Sequence, residues 1–486
     1  MTRTLLICFT LASLAAAQEP GSIRGAVRLN RAPVSSEVLR VRLPRPVEKR
    51  LSNGLRLLVV ESHREPLVSL TIQIASSPLR DPAGLPGVAD ATAAMMQLGT
   101  TTRSARQIAD ALADIGATLN IGAPPGGAGG PRVGLNGVSR AITLSSLTEN
   151  LDAALAILAD IVLHPAFPAD EFERWKARER GVIEQSKSSP NTLANELLFK
   201  VLYPGDARQF TRASLESLGK ITREDLIEHY KRYYAPSGEL AGIAGDISPR
   251  DAVAKLEKAL SAWKGGPVER VPAPANPPIM ERKVYLISRP NSVQTFLALV
   301  NRAIGRADPD YIACMLMNQV LGSGPAGRLF RIIREEKGYT YGVYSSFNVS
   351  RDLNHFVTSM SVRTEVTEPA LADLLREFRE MRETAVPKEE LDAAKRALSA
   401  NFALRLENPS NVLARWMEQR EFGLPEDYWD TYTERVAAVT AEEVQRVASK
   451  YVPYDSVQII AVGDAAKIGD LVKKFGPVEE ISADSN

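Results

Sequence analysis

Part of this chain is written twice, and that limits its architecture more than any other feature. The stretch "ITREDLIEHYKRYYAPSGELAGIAGD", residues 221–246, returns as "VTAEEVQRVASKYVPYDSVQIIAVGD", residues 439–464. Thr222, Tyr233, Gly245 and Asp246 fall on Thr440, Tyr451, Gly463 and Asp464 at a constant separation of 218 residues. "PADEFERWK" and "PKEELDAAK" add Pro168 with Pro387 and Lys176 with Lys395, at 219. Matches in one order at nearly one separation imply a duplicated domain of about 210 residues, since solenoid repeats have far shorter periods. Each copy mixes strand and helix periodicities. The expected fold is therefore α+β: two homologous α/β domains, each a sheet covered by helices.

The local patterns support that reading. In "LVSLTIQIA", Leu70, Ile72 and Ile74 alternate with Ser69, Thr71 and Gln73, the period of a half-buried strand. "SARQIADALADIG" has Ser104 and Gln107 at capping-box spacing, a stripe of Ile108, Leu112 and Ile115, and a stop at Gly116. "LTENLDAALAILADIVL" stripes Leu151, Leu155, Leu158 and Val162. "GAPPGGAGGPR", residues 122–132, reads as a mobile loop, and "GGPVERVPAPANPP", residues 265–278, as a semi-rigid linker. The expected divisions are a signal peptide at 1–17, an arm at 18–44, domains at 45–264 and 281–475, a linker at 265–280 and a tail at 476–486.

The opening "MTRTLLICFTLASLAAA" places Arg3 before a short apolar run and a small-residue cleavage site, the layout of a secretory signal. Export to the periplasm or beyond is the expectation. No later stretch reaches the ~18 apolar residues of a membrane helix, so no membrane span is expected in the mature chain. Of the two cysteines, Cys8 lies in the signal, which leaves Cys314 without an intrachain disulfide partner. A net charge of +1 gives no reason to expect a nucleic-acid partner.

Few residues offer chemistry. The four histidines, His63, His164, His229 and His355, never fall three or four apart, so no helix presents two imidazoles on one face. Cys314, inside "YIACMLMNQVL", reads as a buried structural thiol. Gly322, Gly324 and Gly327 match G-x-G-x-x-G, but a helical run precedes them where a dinucleotide site requires a strand. They read instead as a turn between helices, with backbone open to a ligand. After them, "RLFRIIREEKGYTYGVYSSF" gives an amphipathic helix, a stop at Gly338 and a tyrosine-rich strand, with Arg334 seven residues before Tyr341.

The combined pattern resembles the pitrilysin/insulinase family of zinc peptidases, which includes the mitochondrial processing peptidases. "LSNGLRLLVVESHREPLVSLTIQI", "LTENLDAALAILADIVLHPAFPADEFER" and "GRLFRIIREEKGYTYGVYSSF" carry the resemblance, which covers nearly all of the chain after residue 45. It implies two homologous domains forming half of a clamshell. In active members the helix matching "GVADATAAMMQLGT" holds H-x-x-E-H. Here that register reads Asp90-Ala91-Thr92-Ala93-Ala94, so both imidazoles and the water-activating carboxylate are missing. The third ligand position falls on Glu184, left without partners.

The resemblance therefore implies no metal and no catalysis in this chain alone. Some bacterial members act as pairs, one chain holding zinc and the other an Arg/Tyr pair that maps onto Arg334 and Tyr341. The expected function is a non-catalytic, substrate-binding subunit of an exported heterodimeric zinc metalloendopeptidase acting on peptides or unfolded chains. Its partner would be a homologous zinc-bearing subunit, and the turn at Gly322, Gly324 and Gly327 would lie near substrate. The alternative is a structural or peptide-binding homologue with no role in proteolysis.

Overall fold

The repeated segments fold alike because their helix-start signals are alike. The Thr222 hydroxyl accepts from the backbone N–H of Asp225 while the Asp225 carboxylate accepts from that of Thr222; Thr440 and Glu443 build the same reciprocal cap. A computed structural model describes residues 38–122, 140–210, 212–268, 278–350 and 353–482. The expected signal peptide, most of the arm, the glycine-proline loop after residue 122 and linker residues 269–277 lie outside the described residues.

In the first half the strands are β1 (Val47–Arg50), β2 (Arg56–Glu61), β3 (Leu67–Ile74), β4 (Thr118–Gly122), β5 (Arg140–Leu147) and β6 (Leu240–Gly245). Its helices are α1 (Val88–Met96), α2 (Ala105–Asp114), α3 (Leu151–Leu163), α4 (Ala169–Ser186), α5 (Pro190–Leu202), α6 (Leu215–Lys220), α7 (Arg223–Tyr233) and α8 (Pro249–Leu260). The second half has β7 (Lys283–Ser288), β8 (Gln294–Arg302), β9 (Thr340–Val349), β10 (Asn354–Arg363), β11 (Gln458–Gly463) and β12 (Val478–Ile481). With them come α9 (Tyr311–Leu321), α10 (Thr367–Glu383), α11 (Lys388–Arg405), α12 (Pro409–Phe422), α13 (Tyr432–Ala438), α14 (Ala441–Tyr451) and α15 (Ala465–Val472).

Among the described residues the strands form two six-stranded sheets of matching order, β1-β2-β6-β3-β5-β4 and β12-β7-β11-β8-β10-β9. The copies differ at one edge. There β1 enters from the N-terminal side and runs antiparallel to β2, whereas β12 arrives from the C-terminal side and runs parallel to β7. Residues 478–481, inside the expected tail, thus form a sheet strand instead. A four-residue edge strand reading Val-Glu-Glu-Ile lacks the alternation that would announce it.

The central strands β6 and β11 are buried at every position, so both faces of each sheet are covered. One face packs against helices of its own half: Leu57, Val59, Ile72 and Ile243 share a core with Met95, Leu158 and Leu256. Helices from the other half cover the opposite face. Leu58, Val60, Leu240 and Ala244 pack in one core with Leu413, Trp416 and Met417 of α12. Reciprocally, α5 lays Leu193, Leu197, Leu198 and Leu202 on Phe296, Ala298 and Val300 of β8 and on Ile460 and Val462 of β11. Gly242 sits under α12, where an added Cβ would meet Met417 Sδ at 2.6 Å and Leu413 Cδ1 at 2.7 Å. Tyr203, just past α5, donates its hydroxyl to Asn354 O and accepts from Asn354 N, both at 3.0 Å.

His355 of β10 lies under α5 with its ring edge-on to Phe199. The Asn348 side-chain amide donates to its Nε2 at 3.2 Å, and Nδ1 has no hydrogen-bond partner among the described residues. Burial pushes the imidazole down to about 4.

Two predictions follow from this packing. Leu198→Ala and Leu413→Ala should each cost about 2–5 kcal/mol while leaving one cooperative urea transition, because each helix completes the other half's core; separate unfolding of the halves would contradict the exchange. Because the unfolded chain binds a proton at His355 near pH 6.5 and the folded chain does not until about pH 4, stability should fall on acidification across that window, by up to about 3 kcal/mol. His355→Leu should flatten the slope in pH-dependent denaturation.

Candidate functional site

Helix α1 starts where a carboxylate and a glycine allow it. Asp81 accepts from the backbone N–H groups of Gly87 and Ala89, both at 2.7 Å, and Gly87 adopts φ +106°. A Cβ there would lie 2.5 Å from that of Ala213, so only glycine fits. Asp90 and Ala94, one turn apart, are both half-buried, while Ala93 is buried. Thr92 turns its hydroxyl back to Val88 O at 2.8 Å. Helix α4 packs beside α1 and exposes Glu184.

This donor set does not fit zinc. A catalytic zinc site takes about three nitrogen, sulfur or carboxylate ligands from the protein, whereas the matching positions on these helices supply one carboxylate each, Asp90 and Glu184, and methyl groups at Ala93 and Ala94. Among the described residues no cluster of three or more histidine, cysteine, aspartate or glutamate side chains could hold a metal ion. Two of the histidines are engaged elsewhere, His63 with Asp246 and Glu61, and His229 with Ser76.

The segment after α1 has a structural duty that the sequence reading missed. Asp160 of α3, nearly buried, accepts at Oδ2 from the hydroxyls of Thr100 (2.7 Å) and Thr102 (2.8 Å) and from Arg103 (2.6 Å). Burial works to raise its pKa, but these donors override burial and hold the carboxyl below its usual range. The cluster of donors in "GTTTR", residues 99–103, shortly after the helix was the available signal.

In the second half Asn318 and Ser345 form a buried ring. The Asn318 amide donates to Ser345 O at 3.0 Å and the Ser345 hydroxyl donates to Asn318 Oδ1 at 2.7 Å. Ser345 N–H donates to Gly322 O at 2.8 Å, which ties the glycine turn to β9. Gly322 and Gly327 pack backbone to backbone, a Cβ on Gly327 falling 2.7 Å from Gly322 Cα, whereas Gly324 faces open space. Beyond the turn, the expected amphipathic helix is a π-helix over Phe330–Glu336. Gly338, at φ +63°, ends it by donating to Arg334 O at 3.0 Å.

The following strand brings Tyr341 to Arg334, whose Cζ lies 5.1 Å from the ring centroid. Tyr341 is 90% exposed. Cys314 is buried in α9, and burial pushes its thiol up to about 12, which suits packing rather than nucleophilic chemistry. A cavity of about 560 Å³, of mixed lining that includes Ser69, Thr71, Gln73, Arg306, Glu418 and Met417, separates the outer face of β3 from α12. Its charged groups have partners in the wall: Arg306 donates to Glu418 at 2.5 Å, and the neutral Gln73 amide donates to Glu421 at 3.1 Å.

Fold and site together define a class, a duplicated peptidase-like protein whose metal helix carries no nitrogen donors. Comparison with known proteins makes this specific. Residues 56–209 match the model described as Insulinase (Peptidase family M16), and residues 220–398 match the one described as Peptidase M16 inactive domain. A solved M16 inactive domain from Pseudomonas fluorescens superposes with a TM-score of 0.76 at 28% identity, over 86% of this chain and 98% of that one. An uncharacterised zinc protease, YmxG, of Bacillus subtilis is 22% identical over 75% of this chain and 85% of its own length. The beta subunit of the Bos taurus mitochondrial-processing peptidase is 28% identical over 67% and 68%. The chain belongs to the M16 peptidase family and is a member without the H-x-x-E-H motif.

If donor chemistry alone disarms α1, restoring it should restore metal. The double variant Asp90→His/Ala94→His places imidazoles one turn apart beside the helix that holds Glu184. It should retain about one equivalent of zinc through gel filtration, measured by elemental analysis, where the wild type retains none. Stoichiometric zinc in the wild type would contradict the assignment.

Proposed function

We propose that this chain is the non-catalytic, substrate-binding subunit of an exported heterodimeric zinc metalloendopeptidase that acts on peptides or unfolded chains. The observation that carries the reading is the pairing of half-buried Arg334 with exposed Tyr341, in a chain whose own metal helix has no nitrogen donors. A homologous partner supplies H-x-x-E-H, zinc and the glutamate that activates water. This chain supplies grip. The Arg334 guanidinium donates to carbonyl oxygens of an extended peptide, and the Tyr341 phenol donates to the oxygen that becomes negative in the tetrahedral state. The turn at Gly322, Gly324 and Gly327 is fastened to the same strand, and at Gly324 it leaves room for the peptide backbone. Residues 1–17 carry the export signal.

The purified chain should cleave no quenched fluorescent peptide. Mixed with a zinc-bearing homologue from the same organism, it should form a complex that does, and a chelator should abolish the activity. In that complex Tyr341→Phe should lower kcat/KM by about 10²-fold with assembly intact, the scale of one lost oxyanion donor. Chelator-sensitive turnover by the lone chain, or wild-type rates from Tyr341→Phe, would refute the proposal.

A further inference from the structure

Arginines near the core of this molecule are held by acceptors. Arg306 donates to Glu418 and the Tyr428 hydroxyl, Arg328 grips Glu390 with two parallel bonds, and Arg103 binds Asp160. Arg223 donates to the carbonyls of Ala166 and Phe167. Arg334 is different. It is half-buried, yet among the described residues its guanidinium has aromatic faces as its partners: Phe330 at 4.5 Å and Tyr341 at 5.1 Å. The contacts continue, since the Phe330 ring also meets that of Tyr344 at 5.7 Å and 37°. Gly342 makes space for this, because a Cβ there would sit 3.1 Å from Tyr344 Cε2.

A guanidinium carries its five N–H donors around its edge and none on its faces. Holding it by ring faces therefore fixes its plane without consuming a donor, whereas a carboxylate partner would occupy part of the fork. The helix sets buried Phe330 beside Arg334 four residues later, and the Phe330 ring in turn meets Tyr344 of β9.

We propose that Phe330 and Tyr344 are positioning residues, which act through Arg334 by pinning its guanidinium plane while leaving its edge free for substrate. This rests on the functional reading above. Releasing the stack leaves the cation present but mobile, so binding must then immobilise it. That cost corresponds to about two- to tenfold in kcat/KM, expressed chiefly in KM.

Two measurements decide it. In the isolated full-length chain, the arginine Nε–Hε NMR resonance that disappears in Arg334→Lys should lie upfield from ring current. Phe330→Leu should move it to the free-arginine position and Phe330→Tyr should restore it; exposed Tyr344→Ala should shift it partway and serves as the probe if Phe330→Leu does not fold. In the zinc-bearing complex, Phe330→Leu or Tyr344→Ala should raise KM two- to tenfold, and this effect should vanish in an Arg334→Ala background. A resonance indifferent to Phe330 and Tyr344, or an equal loss in the Arg334→Ala background, would overturn the positioning role. Unchanged turnover in Arg334→Ala alone would instead overturn the substrate role of the pair, a failure the NMR result does not share.

Discussion

Each half of this molecule lacks a cover for one face of its sheet, and the other half provides it. Helices α5 and α12 occupy equivalent places in the two copies and exchange sheets, so the apolar strips of β6 and β11 are sealed from both sides only when both halves are present. Removing that much apolar surface from water is the dominant stabilising term available, at about 25 cal/mol per Å². It explains why strands such as Leu240–Gly245 read as continuous apolar runs, and why the covalent duplication is more than a tandem array.

Helix α1 packs on the other face of its own half's sheet through Val88, Ala91 and Met95. Helix α1 retains what places it: the Asp81 cap, the close approach at Gly87, and the Thr100–Asp160 anchor that follows. None of these is a group that zinc or water activation requires. Scaffold and chemistry are therefore separable on this helix. A chain can lose every nitrogen donor and still present the same surface beside α4.

The duplication was legible because capping boxes and the Gly-Asp ends of β6 and β11 are local events, encoded within a few residues. Gly245 illustrates why such a residue recurs: at φ +127° a Cβ would fall 2.0 Å from Leu67 O. The exchange of α5 and α12 was not legible. A helical apolar stripe states that a face is buried, not which sheet buries it. The π-helix was equally hidden, because "RLFRIIREEK" satisfies an α-helical pattern, and bonds five residues apart, such as that from Lys337 N to Ile332 O, are what reveal the wider turn. At the site, the missing donors in Asp90–Ala94 and the Arg334/Tyr341 spacing could be read directly. Neither the aromatic faces around Arg334 nor the carboxylate at Asp160 could, since both depend on residues brought together by packing.

What separates Arg334 from Arg306 and Arg328 is the kind of partner, and that difference bears on what each can do. A guanidinium paired with carboxylates is electrostatically satisfied and gains little from a further acceptor, while breaking its pair costs several kcal/mol. One held by ring quadrupoles gains only about 0.5–1 kcal/mol at an exposed site, and it keeps its hydrogen-bonding edge for whatever arrives. Within the second half, then, the chain uses the same residue type in two ways: as a closed brace to helices α11 and α12, and as an open hand beside an exposed tyrosine.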